Sequence, residues 1–515
     1  MAQLSDATLP SLAPPKARNN LLALWIGVVI FAAMSLWMAI VSKGFLEMDA
    51  QTHFMFARHG FREAHYLTNI WGRPLCTGLN LIPALLGGVL GVRVMSLLLA
   101  IGTGLVTYRI AQGQNYRLPA MATILLFAQP LFYLHSFSEL TEIPFAFVMI
   151  LGFWAYQSKH FLTMAILIAI TPSGRPEGFF LIAMAAVALL VHGRWYYLFV
   201  LPIPMLIWSF FGWVTFGRPA DQHWFLWLKI NWPYSMESAY GRGPWYSFLV
   251  QLPVLLSPIV FPTIIFGVYV SLREALRRGT GRLPAFLVDH RARCQLMMVF
   301  IPLFILVVHS ILRTFGLMGS NGELRYLLCV APLWALLCAK GWEWAWARFR
   351  LPAPFLCAAL AASAPIYANC FYRVVPLRIY ESDLLGQAVS DWYKKTPGLE
   401  AAYPRMMASL PSVYFDLDVS QTDVKHGETW GLANVNKKPD GVILIWDKNA
   451  LANASKTMIV TQEQVDAAGW IWIGNIVYGN EWCNVYLSPR TIIGAPTIRN
   501  GSTHYEGFTT PGTLQ

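Results

Sequence analysis

The stretch LLALWIGVVIFAAMSLWMAIV, Leu21 to Val41, contains no charged residue. A helix of that length reaches about 30 Å, the thickness of a bilayer's hydrocarbon core. The run is too long for a signal-peptide core, and no small-residue cleavage site follows it. It therefore reads as a retained first membrane span, preceded by a polar, Pro-containing cytoplasmic tail over residues 1–20 (MAQLSDATLPSLAPPKARNN).

Similar runs recur outward from it, at about 84–108, 118–136, 141–157, 160–172, 177–192, 195–216, 247–272, 295–313, 326–346 and 352–371. The chain is predicted to be a polytopic α-helical membrane protein with about 11 transmembrane helices over 21–371 and a long first outer loop at 43–83. Composition agrees: 13% of the 515 residues are charged, about half the share usual in soluble proteins.

Basic residues orient the spans. Residues 1–371 carry 26 Lys/Arg against 13 Asp/Glu, and the remainder 12 against 14, so the net charge of +11 belongs to the membrane part. Lys16, Arg18, Arg109, Arg117, Lys159, Arg194, the run Arg273 to Arg293, Arg348 and Arg350 fall on one side if each span crosses once. That side is cytoplasmic by the positive-inside rule, which also accounts for the charge without nucleic acid as a partner. Nine acidic residues then face outward: Glu47, Asp49, Glu63, Glu139, Glu142, Glu177, Asp221, Glu237 and Glu323.

From about residue 372 the composition turns globular. GVILIW and NVYLS read as strands and TQEQVDAAGW as a short capped helix, so 372–515 is predicted to be an extracytoplasmic, soluble α/β domain. The seven cysteines form no metal-type pair, and Cys370 with Cys483 is the one candidate disulfide on an oxidising face. Asn453 and Asn500 head glycosylation acceptors whose use depends on the compartment.

Four charged constellations interrupt the apolar pattern. The first loop opens with Glu47 and Asp49, continues through an amphipathic stretch with His53, Arg58 and Arg62, and closes on Trp71-Gly72-Arg73-Pro74-Leu75. HSFSELTEIPFAF carries Glu139 and Glu142, which share one face if helical. TPSGRPEGFFLI places Arg175 and Glu177 in a Pro- and Gly-shaped turn, either as a pocket or as an ion pair holding two helix ends. GSNGELRYLLCVAPLW brings Glu323, Arg325 and Tyr326, a set suited to an anionic group. Charged residues at membrane depth mark substrate paths. A lipid-linked sugar phosphate asks for this mixture: Arg for its phosphate and a carboxylate to deprotonate an acceptor hydroxyl.

In the order Glu47-Met48-Asp49 and WGRPL, SELTEIPFAF, SGRPEGFF and GELRYLLCVAP, the chain resembles the GT-C glycosyltransferases, especially their mannosyltransferase-like members, over roughly residues 20–371. The resemblance implies a polyprenyl-phosphate sugar as donor, a glycan, lipid or protein acceptor, and transfer with inversion on the extracytoplasmic face. It implies Asp49 as catalytic base or acceptor-orienting group, with Glu47 as its neighbour. Substrate contacts are implied at Arg73, Glu139, Glu142, Arg175, Glu177 and Arg325, beside His53 and Tyr326. The first motif is Glu-x-Asp instead of adjacent Asp-Glu, which leaves a divalent metal open. The rival readings are a transporter or flippase of a lipid-linked sugar, which needs charge at the bilayer midplane, and a ligase of preassembled glycans.

Overall fold

The computed structural model describes residues 17–218, 220–234, 236–238, 240–276, 286, 289–349, 363–370, 376–423, 425–448, 450, 459–489 and 508–509. Two compact units divide the chain. One holds residues up to Ser42, Phe56–Tyr234 and Gly241–Pro376; the other gathers Lys43–Met55 and Ser235–Tyr240 with the chain from Leu377 onward.

The first unit is helical. Five helices are long and apolar enough to cross a membrane: Asn19–Val41, Pro74–Gly113, Trp195–Thr215, His290–Phe315 and Leu324–Ala345. Ser247–Leu256 and Phe261–Leu276, bent by 104°, make a sixth if taken as one broken span. Glu142–Gln157, Phe161–Ser173 and Gly178–Val191 are apolar but shorter. The protein is a multi-pass integral membrane protein.

Local chemistry explains where helices and expected spans differ. The run expected at 118–136 divides into Pro119–Phe127 and Pro130–His135, because Pro130 lacks the N–H that would continue the first helix. The expected loop 43–83 ends early: the Pro74–Gly113 helix already takes in residues 74–83 and breaks at Gly88, whose φ of 56° suits glycine. The run at 352–371 lies outside the described residues except for helical 363–370. The chain before residue 17, where a cytoplasmic tail is expected, lies outside them too, as do Asn453 and Asn500.

Small residues permit a close helix crossing. A Cβ on Gly341 would stand 1.8 Å from the Thr263 carbonyl oxygen, and one on Gly267 1.9 Å from that of Leu337. Only hydrogen at both positions lets the Phe261–Leu276 and Ala331–Phe349 backbones meet.

The second unit carries a five-stranded mixed sheet: β1 (Arg405–Ala408), β2 (Val442–Asp447), β3 (Ile471–Tyr478), β4 (Glu481–Leu487) and β5 (Phe508–Thr509), in the order β1-β2-β4-β3-β5. β1 and β2 are parallel and the other pairings antiparallel. β2 is buried throughout, and Val442, Leu444 and Trp446 form a core with Tyr486, Trp430, Val465 and Trp470. The Gln462–Ala467 helix starts on a capping box: the Thr461 hydroxyl accepts from the Gln464 N–H, and the Gln464 side chain accepts from the Thr461 N–H.

The start of the first loop belongs to this unit. The Lys43 and Gly44 amides donate to the Leu377 carbonyl at 3.0 and 3.2 Å, and Phe45 and Phe54 pack on Phe415 with ring centroids at 5.1 and 5.7 Å. Cys370 and Cys483 are both free thiols, the first exposed and the second buried in β4.

Candidate functional site

The SGRPEG turn is built by its neighbours in sequence. Thr171–Ser173 forms a 3-10 turn after the Phe161–Ile170 helix. The Thr171 and Ser173 hydroxyls donate to the Ile168 and Ile170 carbonyls at 2.6 and 2.7 Å, which closes that helix. The chain then reverses, and the Gly178–Val191 helix begins directly after Glu177. Gly178 is required by space and not by its dihedral: a Cβ there would stand 2.3 Å from the Pro172 nitrogen.

This turn projects Arg175 and Glu177 into a buried charge network. Arg175 donates to Glu142 at 2.5 Å, to Glu177 at 3.1 Å and to the Thr141 hydroxyl at 3.3 Å. His309 lies 3.2 Å from Glu177, and His135 lies 3.6 Å from Glu142. Glu142 is fully buried, and His135, Arg175, Glu177 and His309 are nearly so. Tyr326 closes one side, stacked on His309 at 5.1 Å, with the Arg175 and Arg325 guanidiniums 5.6 and 5.9 Å from its ring centre. Its hydroxyl donates to Asn321 at 2.6 Å, and Arg325 pairs with Glu323. Two carboxylates facing one shared guanidinium give a polar, largely dry patch among apolar helices. Such a patch is expensive unless paired.

The structure thus brings together Glu142, Arg175, Glu177, Arg325 and Tyr326. Arg73 is held separately: it has a left-handed backbone (φ 59°) just before the Pro74–Gly113 helix, and it donates to the Tyr234 hydroxyl while lying 5.4 Å from that ring. Glu139 and Glu142 do not share a helix face as expected, because the helix begins only at Glu142. Glu139, in the preceding turn, accepts from Arg93 at 2.8 Å. Arg93 also donates to the Ser42 and Ala39 carbonyls at 2.8 and 3.2 Å, satisfying the C-terminal end of the first helix.

Glu47, Asp49 and His53 belong to the second unit. Asp49 lies in the first turn of the Met48–His59 helix and His53 four residues on, so they share a helical face. Glu47 and Asp49 are partly exposed and His53 is buried. Tyr380 donates to the Leu46 carbonyl at 3.1 Å. Burial pushes the Tyr380 phenol up, with the Glu47 and Asp383 carboxylates adding to the shift, so it stays a hydrogen-bond donor at neutral pH.

Three members escaped sequence reading: Arg93, His135 and His309. Arg93 and His309 each interrupt an apolar helix, and that isolation was their signal. A divalent cation does not fit the network. Arg175 already takes up Glu142 and Glu177, and among the described residues no three His, Cys, Asp or Glu side chains gather as a ligand set.

The fold is GT-C-like. The chain is similar to ArnT from Cupriavidus metallidurans bound to undecaprenyl phosphate, at TM-score 0.57 and 12% identity, over 92% of this chain and 100% of that one. The apo state of the same protein gives TM-score 0.57 and 12% identity over 90% and 99%. The archaeal oligosaccharyltransferase AglB from Archaeoglobus fulgidus, in complex with an inhibitory peptide and a dolichol-phosphate, gives 0.49 and 10% over 92% and 75%. No family model matches the chain, and no curated protein matches it by sequence.

Proposed function

We propose that the protein is a membrane glycosyltransferase that moves a hexose, mannose or a close relative, from a polyprenyl-phosphate donor to an acceptor hydroxyl on the extracytoplasmic face. The observation that carries this reading is the fold likeness to ArnT along the whole of that chain, in a structure holding undecaprenyl phosphate. The buried Glu142-Arg175-Glu177 network supports it, since a merely structural bundle has no need of charges there.

In this reading Asp49 draws the proton from the acceptor hydroxyl as its oxygen attacks the anomeric carbon. The bond from that carbon to the phosphate oxygen breaks, and its electron pair leaves with the polyprenyl phosphate. Arg73 and Arg325 offset the growing phosphate charge, Glu47 and His53 flank the base, and Glu142, Arg175, Glu177 and Tyr326 shape the sugar pocket. A single displacement inverts the anomeric centre. The clustering of Lys and Arg at the opposite ends of the expected spans supports an extracytoplasmic location for this chemistry. The acceptor is a glycan, lipid or protein hydroxyl.

The test is purified protein in nanodiscs with radiolabelled polyprenyl-phosphate mannose or glucose and crude membrane acceptors. Label transferred to an acceptor supports the reading. Donor carried across the bilayer unchanged, with no transfer from any donor, moves the protein to the transporters.

A further inference from the structure

Beyond the reaction, the connection after the Trp195–Thr215 span carries an unusual amount of exposed aromatic surface. Phe216, Trp224, Phe225, Leu226 and Ile230 are 38–50% exposed. A water-facing loop of a soluble surface does not carry such a patch without a partner.

Its geometry shows that the segment folds back along the span and does not project beyond it. Gly217 and Arg218, at φ 96° and 50°, reverse the chain. The short helical turns Trp224–Leu226 and Trp227–Ile230 follow. Trp227 is buried against the span: a Cβ on Gly212 would stand 2.5 Å from its ring, and Trp208 lies 6.5 Å away between ring centroids. Gly212 precedes the helix end at Thr215 by three residues, so Trp227 packs about 5 Å back from that end. Trp224 meets Phe210 at 5.9 Å, also behind the end, and the Trp213 indole donates to the Gln222 carbonyl at 3.1 Å.

The face of the span that Trp224 continues is the lipid-facing one. Ile203, Leu206, Ile207, Phe210 and Phe211 are 39–54% exposed, and in a membrane-crossing helix such residues meet acyl chains. The exposed aromatics of the returning segment therefore extend an apolar surface already immersed in lipid. Exposed Arg218 and Lys229 flank them with positive charge.

We propose that residues 216–218 and 220–230 form an interfacial wedge, seated at the boundary between headgroups and acyl chains, with the bilayer itself as its partner. Trp224, Phe225 and Ile230 enter the apolar side, and Arg218 and Lys229 reach lipid phosphates. Aromatic rings with a polar edge favour this layer, and elements of this kind sit about 5–10 Å into it. Trp227 is the pin that holds the wedge on the protein.

The test is site-directed spin labelling of the full chain in nanodiscs of phosphatidylcholine and phosphatidylglycerol, in a Cys370→Ser background. Nitroxides are placed at Phe225→Cys, at Phe211→Cys as the lipid reference and at Lys448→Cys as the aqueous reference. Ile230→Cys is a second reporter if Phe225→Cys does not fold. The expected result is oxygen access close to that of the Phe211 probe, with exclusion of a water-soluble nickel chelate. Access to the chelate resembling that of the Lys448 probe overturns the proposal, because the segment is then in water. Shielding from both reagents also overturns it, because protein then covers the face, a second copy or another partner.

Discussion

Arg175 and Glu142 stand 33 positions apart in sequence and meet at 2.5 Å, both buried. Removing the cation takes from Glu142 and Glu177 the guanidinium that both share. Arg175→Met is expected to destabilise by about 3–5 kcal/mol, seen as a lower Tm and loss of monodisperse protein in detergent. Arg175→Lys falls between, because an ammonium cannot fork to two carboxylates as a planar guanidinium does. A Met variant as stable as wild type contradicts this.

Arg93 and Glu139 separate structure from catalysis. Arg93→Leu alone strands a buried carboxylate, whereas Arg93→Leu with Glu139→Met replaces the pair by apolar groups and is expected to recover most of the lost stability. Recovered sugar transfer by the double variant makes Glu139 a structural partner of Arg93. A stable but inactive double variant returns Glu139 to the substrate.

The Gly341 contact with Thr263 leaves no room for a side chain. Gly341→Val is expected to force the two helices apart, costing about 1–3 kcal/mol or more, with a matching fall in Tm. Gly87→Ala, where a Cβ meets nothing within 4 Å, is the neutral control.

Asp416 makes the sheet-bearing unit pH-sensitive. Burial, helped by Asp383 and Asp391 and opposed by Lys394, raises its carboxyl from 3.8 to about 7. The folded state then holds a proton that the unfolded chain releases, so stability falls as pH rises from about 4 to about 7. Asp416→Asn is expected to slow hydrogen exchange of the β1 and β2 amides at pH 8 and to change it little at pH 4. Equal effects at both pH values contradict the assignment.

Much of this was legible because membrane spans and strands follow local periodicity. Leu21 to Val41, the GVILIW strand and the Thr461 capping box each act within a few residues. The pairings were not legible, since Arg175 with Glu142, Arg93 with Glu139 and His309 with Glu177 join positions from 33 to 132 apart. Proline and glycine also changed boundaries that hydropathy alone draws smoothly. Pro130 divided one expected span, and Pro74 started a helix where a loop was expected. Phe45 and Phe54 show a third limit: nothing in their loop announces that they pack on Phe415.

The most direct measurement compares wild type with Asp49→Asn in nanodiscs, following single-turnover transfer of sugar from a labelled polyprenyl-phosphate hexose while polyprenyl-phosphate binding is measured on the same samples. The expected result is transfer by wild type and a loss of about 10²-fold or more in Asp49→Asn, with binding unchanged. Equal transfer by the two proteins would contradict the proposed base, and no transfer by either, with intact binding, would contradict the enzyme.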